Sequence, residues 1–234
     1  MEETRGYSLT RGKLIVIEGG DGSGKATQAK LLYNRLKTDN YKVKKVEFPD
    51  YQSDSSALIK MYLNGEFGTS PNDVNPYVAS TFYTVDRYAS YKKEWKDFYL
   101  KGGIILADRY TTSNMVHQAA KINNTEERKE YLNWLWDLEY KKFKLPVPDC
   151  VIFLDMPPQF SQALISDRHD KSEDKEKDIH ERNSEYLRHS YNNACEIRTE
   201  YGWDIVYCVS GGRLRSIEDI HADICKKAMK LITE

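Results

Sequence analysis

Glu18 to Thr27 read EGGDGSGKAT, a glycine-rich stretch that closes on a lysine. Gly19, Gly22 and Gly24 let the backbone wrap until successive N–H groups point at one anion, and a helix starting at Lys25 adds its partial positive charge. Lys25 then reaches the outer phosphates of a bound triphosphate. The candidate phosphate site therefore runs through Gly19, Gly20, Asp21, Gly22, Ser23, Gly24, Lys25, Ala26 and Thr27. The letters alone recur by chance, and a glycine-rich turn without a ligand is the plainer alternative; an apolar run before and a helical pattern after give the stretch its weight. The hydroxyl that normally follows the lysine and binds magnesium is replaced by Ala26, with Thr27 one place later. Either water and phosphate oxygens hold the metal or nucleotide affinity is weakened. Asp21 inside the loop would repel a triphosphate. It is expected to accept from a sugar hydroxyl, to meet Mg2+ through water, or to point to solvent.

A second cluster, DRYTTSN (108–114), follows the apolar run GGIILAD. Strand carboxyl ends are where open α/β sheets bind ligands. Arg109, always charged and beside the glycine loop, can bridge two phosphates, while Ser113 and Asn114 offer donors and acceptors to a base edge. A capping Asp and a surface Arg are the alternative. Farther on, SDRHDKSEDKEKD (166–178) is almost wholly charged or polar, the composition of a solvated loop.

These residues need a scaffold that holds them at one edge. KLIVIE (13–18) is a β-branched run suited to a strand buried on both faces. Further strands are expected at 41–48, 102–108, 151–156 and 204–209, and helices from after Gly24 to near Asp39-Asn40, at 57–63, 75–100, 111–122, 126–143, after Pro158, 179–201 and 216–232. Strands alternating with helices predict an α/β fold, a five-stranded parallel sheet with helices on both faces. Residues 1–234 are expected to form a single domain.

Composition narrows the function. With 35 Lys and Arg against 36 Asp and Glu, the formal charge is −1, and no basic stripe suggests a nucleic-acid surface. No stretch reaches the roughly 18 apolar residues of a membrane span. The opening residues MEETRGYSLTRG lack the apolar run of a secretory signal, which points to the cytoplasm. Four separated cysteines, Cys150, Cys195, Cys208 and Cys225, suit reduced thiols better than a metal ribbon.

Several ordered motifs together resemble the thymidylate kinases, P-loop nucleoside monophosphate kinases, from about Leu14 to the last helix. They are EGGDGSGK (18–25), Phe48-Pro49-Asp50-Tyr51, FYTVDR (82–87), DRYTTSN (108–114) and LPVPDCVIFLDMPP (145–158). The resemblance implies an ATP-dependent dTMP kinase that needs Mg2+ and works as a homodimer. It implies Tyr83 stacked on thymine, Arg87 on its O4, Arg109 on the acceptor phosphate, and Phe48, Tyr51, Ser113, Asn114 and His117 around the deoxynucleotide. By the same resemblance, 166–178 is a lid closing over ATP. Because the loop residue after Asp21 is Gly22, the lid is expected to supply the cation, with Arg168 first and Lys171 and Lys175 behind it. Asp178, His180 and Glu181 match a segment that closes on the acceptor sugar, and His180 or Tyr51 could exclude a 2′-hydroxyl. Arg213 is placed at the donor base because it follows the last strand. Trp134, Trp136 and the tyrosines of 126–143 are expected in core or in a dimer contact.

On this reading Lys25, Arg109, Arg168 and Asp21 carry the transfer by position and charge, with no strong base required. Rival readings are a kinase for another acceptor such as dUMP, and a nucleotide-binding regulator that has lost transfer. An Ala26→Ser or Ala26→Thr variant separates kinase from regulator: the kinase reading expects turnover that is already present with alanine and hardly changes. Activity that appears only once the hydroxyl is restored would favour the regulator.

Overall fold

Leu14, Ile15, Val16 and Ile17 are all fully buried in the computed structural model, which describes residues 11–170, 179–180 and 183–233. A strand can bury every side chain only with layers on both faces, and this one, β1 (Leu14–Gly19), is the centre of the sheet. It pairs in parallel with β3 (Ile104–Asp108) on one side and β4 (Cys150–Asp155) on the other. Outside these lie β2 (Val43–Glu47) and β5 (Asp204–Tyr207), giving the order β2-β3-β1-β4-β5. The expected five-stranded parallel sheet is present.

Helices are α1 (Lys25–Thr38), α2 (Ala57–Leu63), α3 (Pro76–Ser90), α4 (Lys96–Leu100), α5 (Thr111–His117), α6 (Thr125–Trp136), α7 (Pro158–Asp170), α8 (Ser184–Glu200) and α9 (Ile217–Thr233). On one face Ile15, Ile17, Leu106, Ile152 and Leu154 meet Leu32 and Leu36 of α1 and Ile220 and Ile224 of α9. On the other, Leu14, Val16, Ile105 and Ala107 pack under Tyr91, Trp95 and Tyr99, and Phe153 joins Met115, Tyr131 and Ile197. Alternate residues of each strand thus feed opposite layers.

Several boundaries differ from expectation. The helix expected at 75–100 is interrupted by a π turn at Tyr91–Trp95, and the one expected at 126–143 ends in a π turn at Asp137–Lys142. A wide turn rotates the side chains that follow it, and here it brings Trp95 and Glu139 fully inside. After β5 the chain does not run on as strand to 209. Val209–Ser210 (β6) and Arg213–Leu214 (β7) form a hairpin, turned through Gly211 and Gly212 at φ 57° and 71°. The segment 166–178 is not loop throughout, since α7 continues to Asp170; 171–178 and 181–182 lie outside the described residues.

Register fixes what the sheet presents. Ile17 is level with Asp108, Asp108 with Glu47, and Gly19 with Leu154, so the carboxyl ends of β1, β2, β3 and β4 open on one edge. Because that edge rests on the sheet's packing, Leu106→Ala should lower unfolding free energy by about 2–5 kcal/mol, whereas Tyr207→Ala on the exposed surface should cost about 0.5 kcal/mol or less. Urea denaturation of both variants checks this.

Candidate functional site

Gly22 and Gly24 sit at φ 74° and 85°, the left-handed region that lets the chain curl tightly before α1. A Cβ on Gly22 would fall 2.5 Å from the Ser161 carbonyl oxygen, so the close approach also demands glycine. No acidic residue occupies the first turn of α1. Its N-terminus is left electropositive toward the cleft. Buried Lys25 donates from Nζ to the Gly20 carbonyl at 2.7 Å. Burial, with the Arg109 cation next, lowers its ammonium to about 8. Asp21, Gly22, Ser23, Gly24, Lys25, Ala26 and Thr27 line a cavity of about 570 Å³. Gly19 and Gly20 are not part of its wall, and Gly19 donates its N–H to Glu18 at 3.0 Å.

Arg109 leaves the end of β3 at φ 66°, a conformation that costs a non-glycine residue of order 1 kcal/mol. Its backbone N–H is held by Ile17 at 3.1 Å. The guanidinium is paired with Asp21 and also reaches Ser113 Oγ and His117 Nε2, both at 3.2 Å, and Glu18 Oε1 at 3.5 Å. Burial opposes both charges of the pair, but Arg109 and then Lys25 hold the Asp21 carboxyl well below the carboxylate range. In return Asp21 and then Glu18 raise the guanidinium. The acid inside the loop, puzzling beside a triphosphate, has this arginine as its partner.

Glu18 is the residue the sequence reading passed over. Fully buried, it accepts from Thr112 Oγ1 at 2.6 Å and from Ser113 Oγ at 2.8 Å as well as from Gly19. Its signal was an acid ending an otherwise apolar strand. The Ser113 hydroxyl, expected near the base, spends its single hydrogen on Glu18 and accepts from Arg109.

A smaller cavity of about 80 Å³ opens beside the first, with Phe48, Tyr51, Tyr83, Arg87, Ser113, Asn114, His117, Gln118 and His180 on its wall. The Phe48–Pro49 peptide is cis, and the following loop is braced by Asp86, which accepts from the Asp50 N–H at 2.9 Å and from Ser55 Oγ at 2.6 Å. Asn114 Nδ2 and Gln118 Oε1 are buried without a partner among the described residues, a donor and an acceptor set aside for something else. Gln118 was not picked out from sequence. His117 and His180 lie nearly parallel with centroids 6.1 Å apart. His180 Nε2 bonds Tyr62 Oη at 2.9 Å. Burial pushes His180 down to about 3 and, with Arg109, His117 well below its usual range, so both rings are neutral.

The two cavities share Asp21, Phe48, Pro49, Tyr51 and Arg109. They meet at the ion pair. Arg213 does not belong with them: the β6–β7 hairpin leaves it exposed, and Arg215, two residues on, lines the larger cavity instead. Arg215 is pinned there by Tyr207 O at 2.7 Å and Asp223 at 2.8 Å. Arg168 lies in the last turn of α7, whose Leu164 and Ile165 also line that cavity. Glu181, Asp178, Lys171 and Lys175 lie outside the described residues.

A family model described as thymidylate kinase matches residues 17–207. The chain belongs to the thymidylate kinase family. It is similar to a thymidylate kinase of Plasmodium falciparum, 31% identical over 224 residues that make up 96% of this chain and 93% of the relative. A probable thymidylate kinase of Pyrococcus horikoshii is 33% identical over 92% of this chain and 94% of its own length. A thymidylate kinase of Schizosaccharomyces pombe is 29% identical over 92% and 90%.

Family membership implies a metal-assisted transfer, and the donor set here is sparse. Among the described residues no group of three or more His, Cys, Asp or Glu could hold a metal ion. Asp21 is taken by Arg109, and Ala26 has no oxygen to give. Asp108 faces the larger cavity, with burial raising its carboxyl against the pull of Lys25. That set would suit a magnesium that arrives on a triphosphate and keeps most of its water. The stability of the edge depends on Glu18: Glu18→Ala strands two hydroxyls and an amide, and should cost about 3 kcal/mol or more. Urea denaturation is the check, and a loss under about 1 kcal/mol would contradict the hub role.

Proposed function

We propose that this protein transfers the γ-phosphoryl group of ATP to dTMP, giving dTDP and ADP. The observation that carries the reading is the meeting of two cavities at Asp21 and Arg109, one beneath a glycine loop and one walled by Tyr83, Arg87 and Asn114. Two nucleotides seated there would point their phosphates at the same guanidinium.

The loop amides, the start of α1 and Lys25 hold the donor phosphates, while Gly19 and Gly20 keep the loop's base in place. Bound with ATP, Mg2+ supplies charge neutralisation of the outer phosphates. Arg109 draws the acceptor phosphate toward the loop, braced by Glu18, Ser113 and His117. Neutral His117 adds no competing cation. A monophosphate is already an anionic nucleophile near neutral pH, so position and electrostatics supply the rate. In the acceptor cavity Tyr83 stacks on the base, Arg87 and Asn114 Nδ2 donate to carbonyl oxygens, and Gln118 Oε1 accepts the ring N–H. Phe48, Tyr51 and His180 close around the sugar and leave no room for a 2′-hydroxyl. Glu181 belongs with them by motif. On the donor side Arg215 takes the place expected of Arg213 beside the base. By the family motif, Arg168 of the lid segment 166–178 neutralises charge on the transferring group and the segment keeps water out.

The enzyme works as a homodimer; Val78, Val85 and Tyr88 of α3 leave an exposed apolar face that supports this. It acts in the cytoplasm, a setting that suits its four free thiols. No helix among the described residues is long and apolar enough to cross a membrane.

Coupled ADP release with ATP and magnesium, run against dTMP, dUMP, UMP, dCMP, dGMP and AMP, tests the proposal. Strong preference for dTMP is expected, and Arg109→Ala should remove turnover by about two orders of magnitude or more. Turnover with a different monophosphate would overturn the base contacts, and none with any, while ATP still binds, would overturn the kinase.

A further inference from the structure

Arg87 and Glu139 are 1% and 0% exposed, and they form an ion pair although 52 residues separate them in the chain. Glu139 lies in the π turn after α6, outside the wall of the smaller cavity. Its carboxylate accepts from Thr84 Oγ1 at 2.7 Å, from Thr111 Oγ1 at 3.1 Å, and from Arg87 Nε at 3.2 Å on each oxygen. Arg87 Nη2 bonds the same carboxylate and also donates to Asn114 Oδ1 at 3.1 Å, while Nη1 reaches the Tyr110 carbonyl at 3.4 Å. Only the oxygen end of an amide can accept from a guanidinium. The Asn114 amide is therefore oriented by Arg87, which leaves its Nδ2 as a buried donor on the cavity wall without a partner among the described residues.

We infer that Glu139 is a positioning residue for base recognition: it fixes Arg87, and through Arg87 the Asn114 amide, so that the cavity presents N–H groups to a base edge bearing carbonyl oxygens. The inference rests on reading this cavity as the dTMP site and adds the residue that sets its polarity. Without the Glu139 charge the guanidinium has lost the partner that fills its Nε and Nη2 edge. Asn114 can then turn its oxygen into the cavity and accept from the exocyclic amine of cytosine.

The test uses the full-length enzyme with Glu139→Gln, which keeps size but places an amide N–H against the arginine, and Thr111→Val, which removes one hydrogen bond and keeps the charges. In Glu139→Gln the KM for dTMP should rise about tenfold while kcat stays within about threefold, and preference for dTMP over dCMP should fall about tenfold. Thr111→Val should move both quantities the same way by about two- to threefold. The KM for ATP should hold in both. A KM for dTMP that stays put in both folded variants overturns the inference, as does a fall in kcat alone. A readout independent of turnover is the Arg87 Nε–H resonance, expected to exchange slowly in the nucleotide-free protein and quickly in Glu139→Gln. Slow exchange in that variant overturns the inference; should it fail to fold, Thr111→Val decides. Wild-type enzyme inactive on dTMP would instead refute the proposed function, while the resonance still judges the positioning.

Discussion

Everything at the cleft depends on one guanidinium at the end of β3 sharing two carboxylates of the β1 loop. Arg109 faces Asp21 and Glu18 within a partly desolvated edge, where an uncompensated charge of either sign would be expensive. Three charges cannot satisfy one another by sequence proximity, since 91 residues separate Glu18 from Arg109. They meet because β1 and β3 are hydrogen-bonded neighbours with Ile17 level with Asp108. The left-handed backbone at Arg109 is part of the same constraint. Its N–H is captured by Ile17, and that bond turns the side chain back across β1 toward the loop.

Electrostatic balance follows from the pair. The chain carries a net charge of only −1, yet the cleft must attract several phosphates. Local arrangement has to supply the attraction. Lys25, Arg109 and the start of α1 point inward, and the two acids of the loop region, Glu18 and Asp21, are tied to hydroxyls and to a cation. Glu18 is sealed beneath Thr112 and Ser113. Asp21 is ion-paired, and both histidines are neutral by burial and the nearby arginine. An arriving phosphate thus competes with Asp21 for guanidinium hydrogens, which couples acceptor binding to the shape of the donor loop.

Much of the architecture was legible because its signals are local. Runs such as LIVIE and IILAD are long, apolar and β-branched, and the glycine loop between strand and helix has a single mechanical reading. Tyr83, Arg87, Asn114 and His117 were legible as a set only through the family's ordered motifs, and the structure brings them to one cavity. The π turns were not legible, because a one-residue register shift inside or at the end of a helix leaves the surrounding helical pattern intact. The β6–β7 hairpin was missed for a related reason: two-residue strands carry no periodicity. Missing it left Arg215, which lines the larger cavity, outside the reading, while Arg213 two residues earlier sits exposed in the hairpin.

Glu18 and Glu139 show why buried polar residues resist reading from sequence. Each is an acid in a position that pattern alone assigns to a strand end or a helix surface, and each turns out fully buried. Burial of a carboxylate is tolerable only when several donors converge on it, and those donors come from other elements: Thr112 and Ser113 of α5 for Glu18, Arg87 of α3 with Thr111 of α5 for Glu139. No window of sequence contains both halves of such a cluster. α5 contributes to both, with Thr111 directed to one acid and Thr112 and Ser113 to the other. A single short helix between the phosphate edge and the base cavity therefore carries the constraints of both, so a shift of α5 would loosen Arg109 and Arg87 together.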